Sequence, residues 1–167
     1  MPAWVLSAAY WLHMAATVAW VGGLLFQALL LPAATRGLEP QARARFFDSL
    51  SRRFQPIAWL SLAILVFTGL TQMAAHPRYA GLLDINGRWA QAILAKHLAF
   101  GGMVLIAAVQ TWILQPRLAH HMLREATGSG TDAESIAHTR QTLDRLTRVN
   151  AVLALLVLGL TAVARTV

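Results

Sequence analysis

Four long apolar runs, separated by stretches rich in arginine, dominate the pattern of this chain. The runs cover about residues 4–31, 56–75, 89–114 and 149–164. A helix of about 20 apolar residues crosses the hydrocarbon core of a bilayer, and each run reaches or approaches that length. The pattern therefore predicts an all-α fold, an integral membrane four-helix bundle that forms one transmembrane domain over residues 1–167.

The polar connections next to these runs also carry a helical pattern. Residues 39–54 and 132–148 each place apolar side chains among arginines, which is typical of amphipathic helices at the headgroup level of a bilayer. Pro32 follows the first run directly, and Pro116 follows the third run after one residue. Because proline costs least at a helix boundary, we expect these two helices to end there.

The composition excludes several classes of protein. The chain is 57% hydrophobic and 13% charged, whereas a soluble domain carries about a quarter charged residues. It has no cysteine, which removes disulfides, thiolate metal sites and a cysteine nucleophile. No nucleotide-binding or hydrolase motif is present either. We therefore favour a protein that is not an enzyme, with a haem-dependent oxidoreductase as the enzymatic alternative.

The basic residues indicate how the chain lies in the membrane. Of the 14 Lys and Arg residues, ten arginines lie in the connections after the first and third spans. The connection between the second and third spans and the C-terminal end carry three: Arg78, Arg88 and Arg165. The positive-inside rule predicts that the Arg-rich connections are cytoplasmic and that both termini lie outside. The formal net charge of +7 is thus a topology signal rather than evidence for nucleic-acid binding.

His13 and His97 are the two histidines inside the predicted spans, each roughly eight or nine residues from the start of its span. The first and third spans cross in the same direction. At about 1.5 Å per residue, the two imidazoles therefore reach a similar depth in the outer half of the bilayer. A polar side chain there is costly unless it faces the bundle interior and finds a partner. We take His13 and His97 as candidate ligands of a buried site.

Small residues near each histidine leave space between the helices. Ala16 and Thr17 follow His13 by about one turn, and Gly101 follows His97 by one turn. Such a slot suits a closely packed helix or a flat macrocycle. Three interpretations stay open: hydrogen bonds between helices, haem b held by both imidazoles, and a copper or other metal site.

Lys96 and Arg88 add positive charge near this candidate site. Lys96 is the only lysine and lies inside the third span, where a cation costs about 2.5–3.5 kcal/mol unless it finds a counter-charge, water or the interface. Asp84 is the nearest acidic residue in the sequence. Arg88 could reach haem propionates at the outer interface. Lys96 is thus either a cofactor-binding cation or an interfacial anchor.

The residues around both histidines resemble those of a known family. The run WLHMAATVAWVGGLLF resembles the first helix of the CopD-type copper resistance membrane domain, and NGRWAQAILAKHLAFGGMVLIAAVQ is similar to its third helix. The positions that carry the resemblance are His13, Trp20, Val21, Gly22, Gly23, Gly87, Arg88 and Lys96. The resemblance implies a bacterial inner-membrane protein linked to copper transport or resistance.

A second resemblance is to the HemJ-type protoporphyrinogen oxidase, a small helical membrane protein. His13 and Lys96 match its first-helix histidine and a later lysine. This resemblance implies haem b and oxidation of a porphyrinogen. Three functions stay open: copper-linked transport or resistance, which we favour, a haem b protein in electron transfer or porphyrinogen oxidation, and an accessory subunit of a membrane complex. The expected partners are the lipid bilayer, copper or haem, and a second copy or a larger complex.

Overall fold

The computed structural model describes residues 2–77, 79, 81, 85–126 and 133–166, and most of them are helical. The α-helices are α1 (Ala3–Leu25), α2 (Leu31–Ala34), α3 (Pro40–Ala74), α4 (Arg88–Val109), α5 (Gln115–Ala126) and α6 (Ala133–Thr166). The π-helical segments Phe26–Leu30 and Gln110–Leu114 join α1 to α2 and α4 to α5. No strand occurs among these described residues, so the all-α prediction is confirmed.

Four stretches of helix are long and apolar enough to cross a membrane. They are Ala3–Ala34, Arg45–Ala74, Arg88–Met122 and Ala133–Thr166. Many large apolar side chains on them are exposed, including Val18, Phe67 and Leu98, as lipid-facing residues are. The prediction of a multi-pass membrane protein that contacts lipid is confirmed. The predicted amphipathic connectors coincide with the first parts of α3 and α6.

The first and third spans continue past their prolines, unlike the boundaries expected from the sequence. Pro32 lies in α2 and Pro116 in α5, each just after a π-helical segment. In both places a backbone N–H donates to the carbonyl five residues earlier, from Leu31 to Phe26 and from Gln115 to Gln110. In a regular helix the proline ring would clash with the carbonyl four residues earlier. The wider turn relieves that clash, so the helix need not end.

The helices pack mainly as two pairs around one shared core. α1 packs along α3 and α4 packs along α6, while a smaller contact joins α1 to α6. Residues from all four of these helices form one buried cluster: Ala16, Trp20, Leu24, Leu62, Leu65, Met103, Ala107 and Ala154. Each helix pair therefore covers one side of a common apolar centre.

The two halves of the chain repeat one plan at an interval of 84 residues. Three features recur at this interval: the start of the π-helical segment (Phe26 and Gln110), the proline after it (Pro32 and Pro116) and the predicted site histidine (His13 and His97). The same spacing of histidine, π-helical segment and proline thus occurs in α1–α2 and in α4–α5. His13 and His97 hold equivalent positions in two helix hairpins.

Gly23 allows α1 and α3 to approach closely. A Cβ atom built at Gly23 would overlap the ring of Phe54 on α3. At the neighbouring Gly22, which faces away from the core, a Cβ atom would meet nothing within 4 Å. Gly23 is therefore required by packing and Gly22 is not.

We predict that Gly23→Ala destabilises the protein by about 1–3 kcal/mol, because the Phe54 ring must leave its place in the interface. Gly22→Ala is the matched control and should be neutral or stabilising by up to about 1 kcal/mol, since alanine favours a helix. Unfolding of both variants in detergent measures the difference. Equal stabilities would contradict a close contact at Gly23.

The orientation in the membrane stays a prediction, and the lack of cysteine makes it simple to test. Ser49→Cys on α3 and Ile85→Cys before α4 each introduce a single thiol at an exposed position. A membrane-impermeant thiol reagent should label Ile85→Cys in intact cells but Ser49→Cys only after lysis. The reverse pattern would place the Arg-rich connections outside.

Candidate functional site

His13 lies on the face of α1 that packs against α3. Its Nδ1 atom is 2.8 Å from the hydroxyl oxygen of Thr68 on α3. Thr68 is only 2% exposed, whereas the imidazole is partly buried. The ring also lies next to Gly69, where an added Cβ atom would be 3.4 Å from the His13 Cε1 atom. Thr68 and Gly69 thus form the pocket wall that orients the imidazole.

The hydrogen bonds of Thr68 determine which nitrogen of His13 carries the proton. The Thr68 hydroxyl donates to the carbonyl oxygen of Ile64, at 2.6 Å. A hydroxyl has one hydrogen, so its oxygen can only accept from His13. The His13 Nδ1 atom is therefore the protonated donor, and in the neutral ring the Nε2 atom keeps its lone pair. A ligand-binding histidine is commonly held by such a second hydrogen bond.

His97 reaches the same tautomer by a different contact. Its Nδ1 atom is 2.7 Å from the carbonyl oxygen of Ile93, one turn earlier in α4. A carbonyl oxygen only accepts, so Nδ1 must donate and Nε2 is again the atom with the lone pair in the neutral ring. His97 is therefore oriented by its own helix, whereas His13 is oriented by a neighbouring one.

His13 and His97 are held by separate hydrogen bonds. Neither imidazole hydrogen-bonds to the other, and each histidine-bearing helix packs mainly against a different partner. Lys96 is close enough to His13 and to Arg165 of α6 to interact electrostatically with both. The described part of the chain contains no group of three or more His, Asp or Glu residues that could hold a metal ion. That His13 and His97 act in one site stays a prediction.

The remaining predicted site residues lie on α4 or just before it. Arg88 is the first residue of α4 and is exposed. Gly101, one turn after His97, is exposed, and an added Cβ atom there would meet nothing within 4 Å, so this glycine faces outward and does not form a slot between helices. Asp84, the proposed counter-charge of Lys96, lies outside the described residues.

Sequence reasoning missed the polar residues of α3 that meet α1. Besides Thr68, the Gln72 side-chain amide donates to the carbonyl oxygen of Ala9, at 3.2 Å. Thr68 and Gln72 are four residues apart in a largely apolar run, so they occupy one helix face. That spacing is the signal that could have identified them as partners of the first helix.

The fold and these contacts define a multi-pass, all-helical membrane protein with two oriented histidines. A family model described as copper resistance protein D matches residues 48–164. The chain belongs to this copper resistance protein D family. The match includes Thr68, Lys96 and His97 but begins within α3, so α1 and His13 lie before it. Neither the curated proteins nor the solved structures contain a significant match.

We predict that Thr68→Val lowers the free energy of unfolding by about 1–2 kcal/mol, because the partly buried His13 Nδ1–H loses its acceptor. Thr71→Val is the matched control. The Thr71 hydroxyl donates only to the Phe67 carbonyl of its own helix, so this change should stay within about 0.5 kcal/mol. In a His13→Ala background the cost of Thr68→Val should shrink. Equal costs in both backgrounds would contradict the hydrogen bond.

Proposed function

We propose that this protein binds copper ions within the membrane and passes them on, with the Nε2 atoms of His13 and His97 as ligands. The observation that carries the proposal is the hydrogen bond from His13 to Thr68, whose own hydrogen is already donated to Ile64. It directs the lone pair of His13 to Nε2, which is the form of histidine that binds a metal ion. Imidazole is a ligand that suits copper.

Membership in the copper resistance protein D family supports copper as the cargo. The equivalent places of His13 and His97 in two parallel spans support a similar depth for both ligands. Two imidazoles make a weaker site than a dedicated metal centre with four ligands, and the nearby Lys96 charge opposes a bound cation. Both features favour release, which a transport site requires as much as binding. We place the protein in a bacterial plasma membrane on the basis of the same family.

We predict that vesicles containing the purified protein take up Cu(I) faster than protein-free vesicles, as measured with an impermeant Cu(I)-sensitive dye inside. His13→Ala and His97→Ala should each slow uptake about tenfold or more, which corresponds to a loss of about 1.4 kcal/mol. Copper bound to the purified protein should fall in the same variants.

His138→Ala is the matched control, because His138 is an exposed histidine near the beginning of α6. Its uptake rate should equal that of the unmodified protein. Unchanged uptake in both His13→Ala and His97→Ala would contradict the proposed ligands. Equal uptake in protein-free vesicles would contradict the transport function itself.

Haem b is the second candidate ligand of these histidines. Its iron also binds imidazole, and His97, like His13, leaves Nε2 as the nitrogen with the lone pair in the neutral ring. When bound, haem supplies one-electron redox chemistry, which would serve electron transfer or porphyrinogen oxidation. His13 and His97 would then hold its iron, and Lys96 and Arg88 would lie near its propionates. The third candidate function is that of an accessory subunit of a larger membrane complex. In that case the purified protein should bind neither copper nor haem b.

The absorption spectrum of protein purified from haem-supplied cells separates these candidates. A Soret band that weakens in His13→Ala and His97→Ala would support haem. A colourless protein would contradict haem and leave the copper measurements as the test of function.

A further inference from the structure

Asn150 is a polar side chain that is completely buried in the middle of the bundle. Its relative exposure is 0%, and neither its amide nitrogen nor its amide oxygen has a hydrogen-bond partner among the described residues. The indole nitrogen of Trp20 on α1 is likewise buried and unpartnered within that part of the chain. Two strong hydrogen-bonding groups are thus left unsatisfied by the protein in a mostly apolar core.

Asn150 lies on α6, which packs against both α4 and α1, the helix that carries Trp20. The Gln110 side chain donates to the Thr147 hydroxyl, about one turn before Asn150, and to the Leu143 carbonyl, two turns before it. One turn after Asn150, Ala154 lies in the core cluster that also contains Trp20 and Ala107. Asn150 therefore lies between the polar contact at Gln110 and the apolar contact that includes Trp20.

Several of the buried residues near Asn150 are small. Ala151 and Ala154 are buried on the same helix, and Ala107 is buried on α4, three residues before Gln110. Each has only a methyl side chain, so none of them can form a hydrogen bond with the Asn150 amide. Internal waters are typically held by buried polar groups that have no other partner.

The donors and acceptors of Asn150 and Trp20 indicate which small ligand could satisfy all of them. A bare cation would satisfy the Asn150 oxygen but not the indole N–H, which can only donate. An anion would accept from both N–H groups but would leave that oxygen unpaired. Water accepts and donates at once, and it removes the large cost of unpaired polar groups in a membrane interior.

We propose that Asn150 and Trp20 hold internal water between α1, α4 and α6. The water accepts from the Trp20 N–H and from the Asn150 amide N–H, and it donates to the Asn150 oxygen. The site stands apart from the proposed copper function, since neither residue is a copper ligand there. Together with the His13–Thr68 and Gln110–Thr147 hydrogen bonds, it would be a third polar site within the bundle.

Asn150→Leu tests the site by thermal unfolding in detergent. If water satisfies the amide, the substitution removes its hydrogen bonds and leaves the Trp20 N–H unpaired, so Tm should fall by about 3–8 °C. In a Trp20→Phe background the fall should be smaller, because the two residues share the water. If the amide were unsatisfied, leucine of similar size would raise Tm, and that result would overturn the proposal.

Radiolytic hydroxyl-radical labelling gives a second readout that does not depend on stability. Radicals formed from bound water should oxidise Trp20 in the unmodified protein, and Asn150→Leu should reduce that oxidation severalfold. Met73, which is buried at the far end of α3, is the internal control and should be oxidised equally in both proteins. Trp20 oxidation that is unchanged by Asn150→Leu would overturn the proposal.

Asn150→Ser serves if Asn150→Leu does not fold. Serine keeps a hydrogen-bonding group and adds space, so Trp20 should remain labelled and Tm should stay close to that of the unmodified protein. Loss of Trp20 labelling in Asn150→Ser would also overturn the site.

Discussion

The structure depends on one constraint of the bilayer interior, which offers no water to satisfy a polar group. Helix formation pairs the backbone N–H and C=O groups with each other. Threonine hydroxyls in these helices donate their hydrogen to a carbonyl one turn earlier, as at Thr17, Thr68, Thr147 and Thr161. The oxygen of each such hydroxyl can then only accept a hydrogen bond from a neighbouring side chain. Among the described residues, the two polar contacts between helices that involve threonine follow this rule, because His13 donates to Thr68 and Gln110 donates to Thr147.

The same rule explains why two equivalent histidines are held differently. The position 84 residues after Thr68 is Val152, an exposed apolar residue that offers no acceptor. His97 consequently donates within α4, to Ile93, while His13 donates across to α3. Both arrangements leave the lone pair of the neutral ring on Nε2. The repeat therefore preserves the chemistry of the histidine while its partner has changed, and only the first histidine couples two helices.

Much of the architecture followed from local pattern. The apolar runs predicted four spans because span length is a property of the segment itself. The helix ends predicted at Pro32 and Pro116 were wrong. A π-helical turn before each proline relieves the steric clash that would end a regular α-helix. Of the glycines in the first helix, Gly22 and Gly23 look alike in the sequence. Only the position of Phe54, 31 residues later, distinguishes them.

The sequence by itself determined the number of spans, the family resemblance and the three polar residues, His13, Lys96 and His97, around which a site could form. These depend on composition, spacing and depth, which are readable along one chain. The tertiary structure decided the partners: Thr68 for His13, Ile93 for His97, Thr147 for Gln110, and no protein partner among the described residues for Asn150. A hydrogen bond between helices depends on their relative rotation and register, and packing across the whole bundle determines both.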